Sequence, residues 1–307
     1  MTYGIIGLGG IGGYYGGLLA RAGLEVHFLV RSGATHLREH GLRVDSVDGN
    51  YQVPDVRVHE RAEDMPVCDV VLVCLKATDN AVLERILPRV LAPGGTVVLL
   101  QNGLGVEPWL QSIVPGATVI GGLCFIASSK VGVGHIRHQD YGRVTLGQFA
   151  ADYAPCGITP CLAQLADAFT AAGIETVTST DLRDARWRKL VWNIPFNGLS
   201  AILRLTTAEL LGRAPARGLV CELMAEVLAG AAACGAPIEA AFIDRMIEMT
   251  ERIAPYKPSM LLDAEAGRPM EVEAIYGAPV RYAQRAGVEM RLTHCLALQL
   301  AALASAS

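Results

Sequence analysis

Four glycines within six residues, placed directly after a short apolar run, constrain this chain more than any other feature. Tyr3-Gly4-Ile5-Ile6 leads into Gly7-Leu8-Gly9-Gly10-Ile11-Gly12, and an amphipathic pattern follows through Ala22. The glycine spacing is G-x-G-x-x-G, set between a strand and a helix. There Gly7 permits the tight turn, Gly9 lets the backbone approach a pyrophosphate, Gly12 lets the helix pack against the strand, and the helix N-terminus receives the negative charge. Leu8, Gly10 and Ile11 complete the turn and count with it as cofactor-binding. A merely flexible loop would require neither the strand before it nor the helix after it.

The remainder of the first half repeats this alternation of β-branched runs with helical patterns, the signature of a parallel α/β sheet. Strands are expected near Tyr3–Ile6, Val26–Val30, Val70–Leu75 and Thr96–Leu100, and helices near Ile11–Ala22 and Ala81–Leu91, with Pro93-Gly94-Gly95 as a stop and turn. From Val119 to Phe149 short glycine-punctuated strands read as antiparallel additions to the sheet edge. Beyond Asp181 strand signals nearly vanish. Helices are expected over Leu182–Leu203, Thr207–Leu211, Pro215–Cys234, Pro237–Ile253, Met270–Ala286 and Leu292–Ala304. A chain of 307 residues suits two hydrophobic cores. The expected fold is therefore α/β, with an N-terminal Rossmann-type doubly wound sheet over residues 1–180 and a C-terminal all-helical domain over 181–307.

A formal net charge of −4 leaves no electrostatic footprint for nucleic acid. Mean hydropathy is positive, at +0.34, yet the apolar runs fall far short of the roughly 20 residues that cross a bilayer. No basic n-region opens the chain, so cytoplasm is the expected compartment and no membrane partner is expected. The eight cysteines form no C-x-x-C pair and have no matching histidine spacing. They read as small buried hydrophobes, Cys156 and Cys161 included, and no metal is expected.

The end of the second strand chooses between the nicotinamide cofactors, because a carboxylate there binds a ribose 2′-hydroxyl whereas an arginine accommodates a 2′-phosphate. His27-Phe28-Leu29-Val30 ends in Arg31-Ser32. A solvated cation is the plainer reading of Arg31; after the glycine turn, NADPH/NADP recognition is the expectation. A hydride added to a ketone leaves negative charge on oxygen, so a proton donor must stand near it. The chain has four lysines, Lys76, Lys130, Lys189 and Lys257, and arginine donates protons poorly. Lys189, Asn193 and Asn197 recur at four-residue spacing on one helix face, and every other face of that helix is largely apolar. A solvated stripe is the bland alternative. Two tryptophans and Phe196 on the same helix favour burial instead. Pro195 is expected to kink it. His135 and His138 read as exposed or structural residues of an edge strand, and His27 as part of the buried second strand.

Taken together these residues resemble the ketopantoate reductase (2-dehydropantoate 2-reductase) family over essentially the whole chain. The likeness rests on the glycine turn, Leu72-Val73-Cys74-Leu75-Lys76, Gln101-Asn102-Gly103, Trp187-Arg188-Lys189-Leu190 with Asn193, and Ser259-Met260-Leu261-Leu262-Asp263 followed by Gly267-Arg268-Pro269-Met270-Glu271. It implies NADPH-dependent reduction of a small 2-oxo acid, ketopantoate to pantoate, in pantothenate and coenzyme A biosynthesis. Lys189 would be the general acid and Glu271 its acidic partner. Asn102 and Lys76 would lie at the cofactor and substrate junction, and Asn193, Asn197 and Ser259 would position substrate. Two places depart from the family pattern: Tyr256 stands where an asparagine is usual, and Leu203-Arg204-Leu205-Thr206-Thr207 lacks another. Reduction of a different 2-oxo acid, a 3-hydroxyisobutyrate-type dehydrogenase and a non-catalytic NADPH-binding redox sensor stay open, as does a homodimer built on the apolar C-terminal pattern Leu296–Leu303.

Overall fold

Val70, Val71, Leu72 and Val73 are all buried, as a strand covered on both faces of a parallel sheet requires. In the computed structural model, which describes residues 1–252 and 255–305, the chain divides into two compact units. Met1–Gln101 and Glu107–Leu182 form the first; Asn102–Val106 and the chain from Arg183 onward form the second.

The first unit is built on one sheet. Its strands are β1 (Thr2–Ile6), β2 (Glu25–Leu29), β3 (Leu42–Ser46), β4 (Tyr51–Val53), β5 (Arg57–His59), β6 (Cys68–Val73), β7 (Leu91–Leu99), β8 (Thr118–Gly132), β9 (His135–Gln148) and β10 (Thr176–Ser179). Helices α1 (Gly10–Arg21), α2 (Ala34–His40), α3 (Leu83–Val90), α4 (Val106–Ile113) and α5 (Pro160–Ala171) alternate with them. The strand order is β4-β3-β9-β8-β7-β6-β1-β2-β5, with β10 paired to β9. The run from β5 to β8 is wholly parallel. Chain order reverses where β1 lies between β2 and β6, so the glycine turn after β1 opens at the topological switch point, where ligands of such sheets bind.

The sequence reading and the structure differ in instructive places. The expected edge additions are two long antiparallel strands, β8 and β9, inside the sheet, because β3 and β4 continue beyond β9. His138 is consequently buried on an interior strand. Its Nδ1 accepts from the Ser46 hydroxyl at 2.8 Å, and its Nε2 donates to the carbonyls of Asp140 and Tyr141 at 3.0 and 2.8 Å. Pro93-Gly94-Gly95 does not precede the strand but loops out within β7, whose pairing to β6 jumps from Leu91 to Thr96. Among the cysteines only Cys68 is fully buried, which pushes its thiol up to about 11; six are half-buried and Cys295 is exposed.

The second unit is helical throughout its described residues. Its helices are α6 (Leu182–Leu203), α7 (Thr207–Leu211), α8 (Ala214–Ala233), α9 (Ala241–Arg252), α10 (Ser259–Glu265), α11 (Ala278–Arg285) and α12 (Arg291–Ser305). Helix α6 runs as one element through Pro195. Ile253, the expected end of α9, and residues 306 and 307 lie outside the described residues. Helix α10 had no expected counterpart. The helix expected from Met270 begins later, and its first turn is a π-helix, Glu273–Gly277. Within that wide turn the Ala274 carbonyl accepts from the Leu104 N–H at 3.0 Å. On α12, Leu296 and Leu300 are buried while Leu298 is exposed, so the apolar pattern serves first to close this unit's core. No described helix is long and apolar enough to cross a membrane.

Helix α1 tests the packing. A Cβ on Gly16 would lie 2.7 Å from the Phe28 ring and 3.0 Å from Ile5 Cγ1, and both of those residues are buried. Alanine gains about 1 kcal/mol of helix propensity, whereas overpacking a tight core costs about 1–3 kcal/mol. Gly16→Ala is therefore expected to lower the denaturant midpoint in equilibrium unfolding, against the direction that propensity alone predicts.

Candidate active site

The glycine turn owes its shape to contacts that only glycine allows. Gly7 has φ +96°, and its N–H donates to the Leu29 carbonyl at the end of β2, 3.1 Å away. A Cβ on Gly12 would fall 2.0 Å from the Gly7 carbonyl oxygen, and one on Gly10 would fall 2.4 Å from the Ser128 carbonyl oxygen. Gly9 is different, since a Cβ there would meet nothing within 4 Å. The backbone is thus closed against protein on three sides and open at Gly9, which fits the pyrophosphate of a dinucleotide. The first bond of α1 runs from the Gly13 N–H to the Gly9 carbonyl at 2.9 Å. No acidic side chain occupies the first turn and no side chain caps it, so the N–H groups ahead of Gly13 remain for an anion. Leu8 is buried and Ile11 packs on the core; what these two offer a ligand is backbone.

Arg31 and Lys76 stand at the same end of the sheet. Arg31 follows β2, is exposed, and precedes α2. Lys76 follows β6 and is half-buried at the start of a 3₁₀ turn, Ala77–Val82. The two strand ends that flank the turn are tied together by the Cys74 N–H, which donates to the Ile6 carbonyl at 2.9 Å. Gln101 locks the loop after β6, its Nε2 donating to the Leu75 carbonyl at 2.8 Å and to Asn80 Oδ1 at 2.7 Å.

The second unit gathers the remaining residues. Helix α6 buries one polar face: Asn193 is 5% exposed and Asn197 2%, and Lys189, one turn earlier, is half-buried. The structure lengthens this face at both ends. Arg186, three residues before Lys189, and Ser200, three after Asn197, are buried on it too; the same three-and-four spacing would have revealed both. Asn197 Oδ1 accepts from the Met260 N–H at 3.2 Å and from the Ser259 hydroxyl at 3.4 Å, so it holds the first turn of α10 and brings Ser259 to α6. The Asn193 Nδ2 donor is buried and has no hydrogen-bond partner among the described residues. Glu271, 9% exposed, lies just before the π-helix and accepts from Asn102 Nδ2 at 3.5 Å. Asn102 is held there by Gly103, whose φ of +96° and position 2.2 Å, measured from a built Cβ, from the Ala274 carbonyl oxygen admit no side chain.

A glycine turn at the switch point of a doubly wound sheet, followed by a helical unit with a half-buried lysine beside a buried amide face, defines a nicotinamide-dependent oxidoreductase. The ketopantoate reductase PanE/ApbA family model matches residues 3–151, and the model of that family's C-terminal part matches residues 181–304. A 2-dehydropantoate 2-reductase from a Nostoc species is 46% identical over 97% of this chain and 93% of its own length. The crystal structure of 2-dehydropantoate 2-reductase from Geobacter metallireducens superposes with a TM-score of 0.93 at 39% identity, covering 98% of this chain and 99% of that one. The enzyme of that name from Methylococcus capsulatus gives 0.87 at 35% identity, covering 97% and 95%. The chain belongs to the ketopantoate reductase family, whose members are NADP-dependent oxidoreductases.

The glycines separate binding from folding. Gly9→Ala is expected to leave the unfolding midpoint near that of the parent while weakening NADPH binding at least about tenfold by blocking the backbone's approach to the pyrophosphate. Gly12→Ala, with backbone in its way, is expected to destabilise the first unit by at least about 1–3 kcal/mol. Paired fluorescence titration and urea unfolding of the two variants read both effects.

Proposed function

We infer that this protein reduces 2-dehydropantoate to pantoate with NADPH, supplying pantoate for pantothenate and coenzyme A biosynthesis. The observation that carries the reading is the buried polar face of α6. Burying an amide without a partner costs about 1–3 kcal/mol by protein mutational measures, so the Asn193 donor marks a place where a ligand's oxygen completes the hydrogen bonding. Family membership over the whole chain names the ligand class.

The glycine turn binds the pyrophosphate of NADPH through the first N–H groups of α1, and the exposed guanidinium of Arg31 pairs with the 2′-phosphate. When bound, NADPH supplies the hydride that adds to the ketone carbon. Lys189 donates a hydrogen bond from Nζ to the ketone oxygen, and as the C=O π electrons move onto that oxygen it hands over a proton, leaving a neutral amine and a 2-hydroxy acid. Glu271 is assigned as the acidic partner of Lys189, since a carboxylate brought close to a half-buried amine offsets the desolvation that would favour its neutral form. Asn102 orients Glu271, Asn193 binds the substrate, and Asn197 contributes through Ser259, which it holds in place. Lys76, at the end of β6, is assigned to the cofactor.

Loss of a general acid costs about 10²- to 10⁴-fold. Lys189→Ala is accordingly expected to lower kcat for ketopantoate by that order while NADPH affinity changes little, as read by NADPH oxidation and equilibrium titration on the same preparation. An unchanged kcat would overturn the assignment of Lys189, and turnover of a different 2-oxo acid in preference to ketopantoate would overturn the substrate. Arg31→Ala is expected to raise KM for NADPH by about tenfold or more with little effect on NADH, as loss of a charge-assisted contact to the 2′-phosphate predicts; an equal effect on both cofactors would count against it.

A further inference from the structure

Two histidines meet on the face of β2 that turns away from α1. Phe28 packs against Gly16 of α1, and strand alternation puts its neighbour His27 on the opposite side. His27 is 8% exposed. Its Nδ1 lies 3.0 Å from Nε2 of His59 on β5, and its Nε2 lies 3.4 Å from Glu25 Oε1. A ring-to-ring contact of this length is a hydrogen bond with one proton between the two nitrogens, so at least one ring is neutral. Strand β5 ends the sheet and, among the described strands, pairs with β2 alone. Its last carbonyl, that of His59, accepts from the Val30 N–H at 2.9 Å. Arg31 is the next residue, and the Leu29 carbonyl, one residue earlier, accepts from the Gly7 N–H at 3.1 Å. The histidine pair thus closes the strand end that holds both the glycine turn and Arg31.

The pair has room for one added proton and not for two. A second would set N–H against N–H across 3.0 Å and place two positive rings side by side. The surroundings do little to relieve that. Glu25 faces His27 but is shared with Arg57, 3.2 Å away. Arg38 of α2 reaches the Val58 carbonyl at 3.2 Å and adds positive charge beside His59. Asp64, in the 3₁₀ turn Ala62–Asp64, is the acid on the other side, and Glu63 of that turn is taken up with Arg61 and Arg89. Burial, His27 and Arg38 hold the His59 ring below its ordinary value, while the Asp64 carboxylate and a backbone hydrogen bond at Asp64 pull the other way. The neutral ring therefore stabilises the fold fully above about pH 6.5, the ordinary histidine value, and that contribution is lost as the pH falls through the lower value of the folded state.

We propose that the His27–His59 pair is a pH-sensitive clasp: in mild acid the doubly protonated rings part, β5 loosens at the sheet edge, and the cofactor end of β2 loses its bond at Val30. This goes beyond the reductase reading and uses none of its catalytic assignments. The test follows hydrogen exchange at the Val30 amide by NMR, and NADP affinity by calorimetry, at about pH 7.5 and about pH 5.5, which bracket the histidine range. The parent is compared with His59→Gln, which keeps a hydrogen-bonding side chain and cannot titrate. Once the intrinsic pH dependence of exchange is divided out, the parent is expected to lose at least about tenfold in Val30 protection on acidification, and His59→Gln to lose none. The parent is also expected to lose about tenfold more NADP affinity than His59→Gln, whose remaining loss comes from the ligand's own 2′-phosphate, with its second pKa near 6. Equal changes in parent and variant would overturn the proposal. Ring titration of the parent decides independently of the variant's folding. Loss of Val30 protection is expected in step with the second ring's protonation, and two protons taken up with protection unchanged would overturn the clasp. Neither readout involves the oxo acid, so either failure leaves the reductase reading standing.

Discussion

The approach of α1 to its own turn sets the terms for the first unit. With a built Gly12 Cβ only 2.0 Å from the Gly7 oxygen, the first turn of the helix occupies space that any side chain would need. The same helix meets the Ser128 backbone at Gly10, Ile136 at Gly13, Phe28 at Gly16 and Tyr51 at Gly17. One face of α1 is thus backbone, and β2, β4, β8 and β9 close on it. Each glycine costs helix propensity of up to about 1 kcal/mol. That cost is met by the burial of Tyr14, Tyr15, Leu18 and Leu19 on the same helix, since full burial of one large apolar side chain contributes about 1.5–3 kcal/mol. The same packing leaves the start of the helix without a side-chain cap, next to the open backbone at Gly9.

The second unit solves the opposite problem. Its long helix carries Arg186, Lys189, Asn193, Asn197 and Ser200 along one face, and four of the five are buried. Polar burial is tolerated when hydrogen bonds replace water. Asn197 meets that condition by capping α10. Glu271 meets it through Asn102. Among the described residues the condition is left unmet at Asn193 Nδ2 and Ser200 Oγ on this face, and also at Trp187 Nε1 on another face of the same helix.

Much of this was legible in the sequence because it depended on local pattern. The glycine turn, the alternation of β1, α1 and β2, and the span of α6 follow from period and punctuation. The four-residue spacing of Lys189, Asn193 and Asn197 placed a polar face correctly because helical geometry brings those positions together whatever lies outside. What escaped was decided by distant partners. Strands β8 and β9 looked like an edge because their glycines read as punctuation; Gly122 instead faces Leu100 and Leu146, and Gly142 faces Tyr14, so these glycines mark close packing inside the sheet. Helix α10 and the π-turn likewise depend on residues far away in sequence, Asn197 for the one and Leu104 for the other.

These two kinds of legibility bear differently on chemistry and on specificity. The glycine turn and the polar face of α6 sit on regular elements, where spacing announces them. Connections such as 203–207 and 255–258 have conformations set by individual hydrogen bonds, as between Thr207 and the Tyr256 carbonyl. There one replacement changes the chemistry presented without disturbing the fold: a tyrosine backbone pinned by Thr207 can carry an amide or a phenol at its side chain with the same helix ends on either side. A family likeness over the whole chain therefore speaks firmly for the reaction class and less for the residues on these connections.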